Sequence, residues 1–404
     1  MSLDLAKERG TPLEEQTFDW FDLVRLPISK LNDDAMTRVR VIWMNGIEQE
    51  ANRFCHALAR FNGDLRLPLA RVRRIDHHQQ VLVHWLLPPD QSPLETTIAY
   101  EQGSIEVTAD VALREPDPYF AQLYRFGMLE ALDHLYRFAA LLDRVEGKDA
   151  NNILQSYTDI VPGRPTRLEH RAPQDDVRRH YHRDKVHALT RLNAVTIAAA
   201  ASQLRDYYMN IGPQFADPIV RLVYAEVSAI EEQHITHYES FCDPGETALE
   251  KWLLHEAAEV YNYFSCAQFE SNARVREIWE RFLSYELGQL HFVMDLLRRT
   301  ENRDPFEVLP RTLPEPIRYE SHREFVRETL ARELQFAAAG PDVLADEPAD
   351  SLSIPYREQL NRRGSPSALV AAGYIWRPGT EVTQLVAPSS RRRHPVDARG
   401  EVRT

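Results

Sequence analysis

The sequence predicts an all-α fold made of two consecutive four-helix bundles, with an N-terminal arm and an irregular C-terminal tail. Three observations predict it. Apolar residues recur with helical spacing in eight long segments. Those segments open on Ser, Thr, Asp or Asn and close on Pro or Gly. The second half of the chain repeats the first at a nearly constant offset.

Residues 1–33 read as an arm packed on the body. The first long helix opens after Asn32-Asp33-Asp34, which are good N-caps. It runs through Val39, Ile42, Trp43, Ile47, Ala51, Phe54 and Leu58 and stops near Phe61-Asn62-Gly63. The second begins near Pro68 and ends before Pro88-Pro89. The third opens on Ser92-Pro93-Leu94-Glu95, a capping box with Pro at the first helical position. After Pro116 and Pro118 the fourth runs from about Tyr119 to Val145. Four helices with short connections fill the first bundle, 34–145.

Residues 146–174, with Gly147, Pro162, Gly163, Pro165 and Pro173, form a linker. The second bundle, 175–300, is expected to hold helices from Asp175 to Met209, from Asp217-Pro218 to Ser240, from the capping box Thr247-Ala248-Leu249-Glu250 to Asn272, and from Val275 to Thr300. Residues 301–404 add one helix over about Glu320 to Ala338. From Gly340 an irregular tail follows, in which Arg391-Arg392-Arg393 reads as a solvated end.

The chain of 404 residues carries 48 Lys and Arg against 61 Asp and Glu, a net charge of −13. That balance argues against a nucleic-acid surface, which needs clustered cations. No run of about 18 apolar residues is present, so no membrane span is expected. Met1 to Gly10 lacks the apolar core of a signal peptide. Cys55, Cys242 and Cys266 are odd in number and widely spaced, which reads as three reduced thiols in a cytoplasmic protein.

At an offset of 155, Ser92, Leu94 and Glu95 fall on Thr247, Leu249 and Glu250. Glu101 falls on Glu256, and Ile75-Asp76 on Ile230-Glu231. At 156, Arg125-Phe126 and Glu130 fall on Arg281-Phe282 and Glu286. The first helix of each half shows no clear register.

Carboxylates stand in the middle of these helices among apolar neighbours. Glu231 and His234 are three apart and share a helix face, so both can reach one metal ion. Glu256 and Glu259 lie one turn apart on the next helix, and Glu286 on the last. In the first half, Asp76-His77-His78-Gln79 lies on the second helix, Glu101 on the third, Glu130-Ala131-Leu132-Asp133-His134 on the fourth, and Glu48 or Glu50 on the first. A charge in a helical core is costly unless it is paired or metal-bound. Glu231 with His234 reads as a ligand pair or as a surface or hydrogen-bonded pair. Glu286 reads as a ligand or as an ion-pair partner of an Arg. His77-His78 and His180, His182 and His187 read chiefly as exposed.

The layout resembles the ferritin-like superfamily of di-iron and di-manganese carboxylate proteins, over roughly residues 34–145 and 175–300. The resemblance rests on the helix layout and on Glu231-x-x-His234. It implies Glu from two helices and Glu-x-x-His from the other two. The chain departs from that pattern. Its last helix gives Glu286-x-x-Gln289, with His291 five residues on, and the stretch between Asp184 and Asp206 holds no acid. The first half gives Asp76-x-x-Gln79 and Glu130-x-x-Asp133, with His134 displaced by one. Neither half carries six ligands, so each holds one metal, an altered pair, or none.

What the resemblance implies is a metalloprotein using iron or manganese in redox or oxygen chemistry on a small-molecule substrate or oxidant, with Glu231, His234, Glu256, Glu259, Glu286, Glu130, His134 and Glu101 as candidate ligands. The second half is expected to hold the better site, with Glu256, Glu259 and Glu286 converging on Glu231 and His234. The competing reading is a metal-free helical scaffold acting through a partner or through homo-oligomerisation. The sequence has no Gly-rich phosphate loop, Gly-x-Ser-x-Gly elbow or paired-Cys zinc site.

Overall fold

Caps and breakers place the helices much as the sequence predicts. The computed structural model of the chain describes residues 3–163, 169–332 and 349–377. α1 (Trp20–Leu23) is a single turn in the arm. The first four long helices are α2 (Ala35–Phe61), α3 (Arg66–Trp85), α4 (Pro93–Arg114) and α5 (Pro118–Glu146). After the turn α6 (Asn151–Leu154) come α7 (Ala188–Ile211), α8 (Pro218–Glu239), α9 (Ala248–Phe269) and α10 (Ala273–Glu301). α11 (Arg323–Arg332), α12 (Ser353–Leu360) and α13 (Pro366–Ala371) end the described chain. The fold is all-α; among the described residues there is no strand, only an isolated bridge between Asp4 and Thr312. No helix among them is long and apolar enough to cross a membrane. All three cysteines are free thiols.

Both capping boxes form: Ser92 with Glu95, and Thr247 with Glu250. Each closes two otherwise unpaired N–H groups at a helix start. The helix expected from Asp175 starts thirteen residues later, capped by His187. The reason lies in where the backbone donors go. The N–H groups of Arg178, Tyr181 and Arg183 bond Ser240 Oγ, Phe241 O and Asp243 Oδ2, at 2.9 Å each, instead of closing a helix. The C-terminal region departs from the expected irregular tail in residues 349–377. There α12 and α13 dock, with Val370 fully buried and the Ser367 N–H 2.7 Å from Glu226 of α8. The Arg391–Arg393 run and residues 333–338 lie outside the described residues.

The arm does pack on the body. Gln16 donates to the carbonyls of Thr11 and Tyr285, both at 2.8 Å. Its approach to α10 requires Gly288, where a Cβ would stand 1.8 Å from the Thr11 carbonyl oxygen.

Consecutive helices pair as α2 with α3, α4 with α5, α7 with α8 and α9 with α10, and α2 and α7 meet at the centre. One apolar core joins Leu132, Leu135 and Phe138 of α5 to Leu204 of α7 and Val220 and Val223 of α8. A larger one joins Val39 and Trp43 of α2 and Val72 of α3 to Trp252 and Val260 of α9 and Trp279 and Phe282 of α10. Each fully buried Leu or Phe there contributes about 1.5–3 kcal/mol. Each core therefore draws on both halves of the chain. Helical periodicity fixes which face of a helix is buried but not which helix covers it.

The repeat offset holds at 155 through the fourth helix. α4 and α9 start at 93 and 248, and α5 and α10 end at 146 and 301. The 156 register that set Glu130 on Glu286 is thus corrected. Glu130 stands level with Tyr285, and His134 with Gln289.

Candidate functional site

The cores hold two buried polar clusters, one in each. In the smaller core, α4 presents Glu101, α5 presents Glu130 and His134, and α8 presents Glu231 and His234. One donor atom each from Glu101, His134 and Glu231 fits within 4.8 Å of the others. His134 Nδ1 lies 3.4 Å from Glu231 Oε1 and 3.7 Å from Glu101 Oε1. His234 bridges, with Nδ1 3.4 Å from Glu231 Oε2 and Nε2 2.5 Å from Glu130 Oε2. The two rings are 6.3 Å apart and nearly parallel. Arg171 closes the back: Nη1 is 3.0 Å from Glu130, and Nε is 2.6 Å from Asp176. Tyr208 of α7 donates to Glu101 at 2.5 Å. The same Tyr208 lines a cavity of about 540 Å³ with Met209, Pro213, Leu222, Tyr224 and Ala225. Beside the cluster, α5 carries Gly127, where a Cβ would meet the Tyr238 hydroxyl at 1.9 Å.

Burial raises the Glu101 carboxyl to about 8, although His134 opposes it. Burial works the same way on Glu231, but His234 and His134 outweigh it and hold that carboxyl at about 2. His234 is lifted to about 10 against burial by Glu231 and Glu130. Both ring nitrogens of His134, Glu101 Oε2 and Glu231 Oε2 are buried and make no hydrogen bond. An imidazole with neither nitrogen bonded, facing two carboxylate oxygens, is the donor set that a metal ion completes.

The larger core holds the second cluster: Glu48 of α2, Asp76 and Gln79 of α3, Glu256 and Glu259 of α9, and Glu286 and Gln289 of α10. Glu256, Glu259 and Glu286 bring oxygens within 4.8 Å of one another. Gln79 Nε2 donates to Glu286 at 2.6 Å and to Glu48 at 3.2 Å. Tyr263 donates to Glu48, and Trp252 to Glu256 at 2.6 Å. Burial first, and mutual repulsion second, pushes Glu48, Asp76 and Glu259 well above the carboxylate range. Glu256 is pushed up in the same way, and burial takes Glu286 to about 7.

These positions revise the expected groupings. Glu256, Glu259 and Glu286 do not converge on Glu231 and His234; they sit in the other core, with Glu48, Asp76 and Gln79. Glu101, Glu130 and His134 of the first half join Glu231 and His234. His291 turns away to the arm, with Nε2 2.8 Å from the Glu8 carbonyl. Glu50 is half-buried and outside both clusters, and His77 is exposed. Sequence reasoning missed Arg171 and Asp176, which read as linker and helix start. Nor does helical spacing show that the Tyr208 hydroxyl reaches Glu101. The constant offset of 155 was the available signal for the second cluster, since it sets Asp76 and Gln79 on Glu231 and His234.

A third group, His180, His182 and Asp243, is only partly buried and lies at the surface. Comparison with protein-family models, curated proteins and solved structures found no match.

Proposed function

We propose that the chain is a ferritin-like carboxylate metalloprotein that holds iron or manganese at the Glu101–His134–Glu231–His234 cluster. In this reading each core is a four-helix bundle taking one helix pair from each half, and the activity is redox or oxygen chemistry. The observation that carries it is His134: a fully buried imidazole with both nitrogens unbonded, between two carboxylates with free oxygens. Two imidazoles with carboxylates suit iron and manganese.

Glu101, His134, Glu231 and His234 would hold the ion. Bound there, it would supply Lewis acidity and a change of oxidation state toward dioxygen or peroxide. Glu130 takes a positioning role, accepting from His234 and fixing that ring's orientation, as carboxylates behind ligating histidines do. Arg171 keeps Glu130 ionised. Tyr208 holds Glu101 by its hydroxyl and forms the wall between the site and the 540 Å³ cavity. We assign the approach of a small-molecule substrate or oxidant to that cavity.

The test is metal analysis of the purified chain with an anaerobic Fe(II) titration. Glu231→Ala with His234→Ala should abolish iron and manganese binding at this cluster. Because His134 joins the same site, Glu101→Ala with His134→Ala should do so too. Ala225→Trp, which fills the cavity, should slow oxidation of bound Fe(II) by peroxide at unchanged iron content. Wild-type protein that takes up neither metal would leave the scaffold reading in its place.

A further inference from the structure

We propose that the second cluster is a separate divalent-cation site with an all-oxygen donor set, built on Glu256, Glu259 and Glu286 and flanked by Asp76, Glu48 and Gln289, and that it takes hard cations such as Mn²⁺, Mg²⁺ or Ca²⁺. This does not depend on the reading of the imidazole cluster.

The first ground is a deficit of positive charge. Five carboxylates from four helices share one core, and each is at most 2% exposed. No Lys, Arg or His makes an ion pair to Glu48, Asp76, Glu256, Glu259 or Glu286 among the described residues. Their neutral donors are Gln79, Tyr263 and Trp252, with the Gln289 amide acting on Asp76, and Arg73, which forms no ion pair among the described residues, lowers Asp76 less than burial and Glu286 raise it. Elsewhere this protein does not leave buried acids so exposed to one another. Glu270 has Arg40, Glu130 has Arg171, and Asp133 has Arg137. A buried carboxylate without a cation is costly, so a group of five needs either protons or metal.

The second ground is independent of acidity. Gln289 is a neutral side chain, fully buried, and its Oε1 has no hydrogen-bond partner. Its amide nitrogen is turned to Gln79 Oε1 at 3.4 Å, and Gln79 in turn donates to Glu286. Unpaired oxygens also remain on Glu48, Asp76, Glu256, Glu259 and Glu286. An amide carbonyl left open beside carboxylate oxygens is an oxygen donor in search of a cation, and protonating the acids would not satisfy it unless one of them turned its O–H that way.

The third ground sets the chemical class. At the repeat offset, Asp76 corresponds to Glu231, Glu256 to Glu101, Gln79 to His234 and Gln289 to His134. Every imidazole of the first cluster is an amide in the second. Glu259 and Glu286 have Ser104 and Ala131 at their counterpart positions, so the cluster without imidazoles carries two carboxylates that the other lacks there. Oxygen-only sets favour Mg²⁺, Ca²⁺ and Mn²⁺, and imidazole suits zinc and iron.

The experiment uses chelator-treated full-length protein and titrates Mn²⁺, Mg²⁺ and Ca²⁺ separately, reading bound cation by equilibrium dialysis and thermal stability. Paramagnetic Mn²⁺ should also quench Trp252, whose indole donates to Glu256. Subtracting the signal of Trp252→Phe isolates that quenching. The site should persist in His134→Ala with His234→Ala, which removes the imidazole cluster. It should weaken at least about tenfold in Glu256→Gln with Glu259→Gln. If that variant does not fold, competition in the wild type decides: Mg²⁺ or Ca²⁺ should relieve the Mn²⁺ quenching of Trp252. No cation uptake in His134→Ala with His234→Ala at millimolar concentrations, or equal uptake with and without Glu256 and Glu259, would overturn the proposal and leave the acids as protonated core groups. Loss of iron binding at the first cluster alone would touch only the other reading.

Discussion

The imidazole cluster and the oxygen cluster occupy equivalent helical positions and solve the same electrostatic problem differently. In the first, His234 sits between Glu231 and Glu130, and Arg171 covers Glu130. Charge is balanced within the protein, and the result is a carboxyl held at about 2 beside an imidazole lifted to about 10. In the second, two amides replace the two imidazoles, no Lys, Arg or His among the described residues forms an ion pair with its acids, and all five carboxyls are pushed up. Two side-chain types at two repeated positions thus separate a cluster whose acids are largely offset by protein cations from one whose acids repel one another.

The largest effect that can break this comparison is expected at Arg171. It is fully buried, paired with Glu130 and Asp176. Arg171→Ala leaves Glu130 with His234 alone and Asp176 without its partner, and should cost about 3–5 kcal/mol in urea unfolding. Iron should recover part of that loss. A cost under about 1 kcal/mol would mean that His234 alone balances Glu130, and the self-compensation account would fail.

Next come matched amide substitutions of opposite sign in metal-free protein. Glu231→Gln removes the carboxylate that faces both histidines and should destabilise by about 2–3 kcal/mol. Glu259→Gln removes one of five mutually repelling acids. A carboxyl whose folded pKa is raised subtracts stability above its unfolded value, so its loss should stabilise by about 1 kcal/mol or more at neutral pH. Denaturant midpoints in excess chelator measure both. The same sign for the two would show that the clusters do not differ in charge balance.

How far all this could be read from sequence follows from particular residues. Ser92 with Glu95 and Thr247 with Glu250 announced their helices because a capping box is a local device. Glu231 with His234 was legible because three residues make nearly one turn. The partners of that pair were not, since nothing in α8 specifies that α5, rather than α9 and α10, brings the remaining residues of the cluster. Arg171 was illegible for another reason: it lies in an irregular segment, where only the tertiary path places its guanidinium beside Glu130. The start of α7 at Ala188 was hidden because the preceding N–H groups bond to the α8–α9 turn.

A third histidine–carboxylate group serves as a control, since each of its acids has protein donors on at least one oxygen, although Asp110 Oδ1 has none. His322 lies 3.4 Å from Glu106 and 3.3 Å from Asp110, both on α4 beyond Glu101. Glu106 also accepts from Thr158 Oγ1 at 2.5 Å and the His322 N–H at 2.6 Å, and Asp110 pairs with Arg114. Burial would lower His322, but Asp110 and Glu106 raise it to about 9. Its stabilisation is therefore complete below about pH 6.5 and is lost as pH rises through about 9. The contacts are ion pairs without hydrogen-bond alignment at Nδ1, which limits the change to about 1–3 kcal/mol. Unfolding of His322→Gln between pH 6 and 10 should lack that slope, and the group should bind no metal.

The smallest effect separates the two clusters by function rather than by stability. Tyr208 donates to Glu101 in the imidazole cluster and Tyr263 to Glu48 in the oxygen cluster, and both rings are fully buried. Removing either hydroxyl by Phe should cost about 1–2 kcal/mol, because each leaves one buried carboxylate oxygen without its donor. Stability alone therefore does not distinguish them. Of the two, only Tyr208 also lines the 540 Å³ cavity. Tyr208→Phe frees Glu101 to reorient toward a bound ion, so it should change the rate of Fe(II) oxidation by peroxide. Tyr263→Phe should leave that rate unchanged while altering Mn²⁺ quenching of Trp252. Stopped-flow absorbance on the two variants, loaded with equal iron, makes the comparison. Equal rates in both would mean that the cavity beside Tyr208 is not the route to the metal.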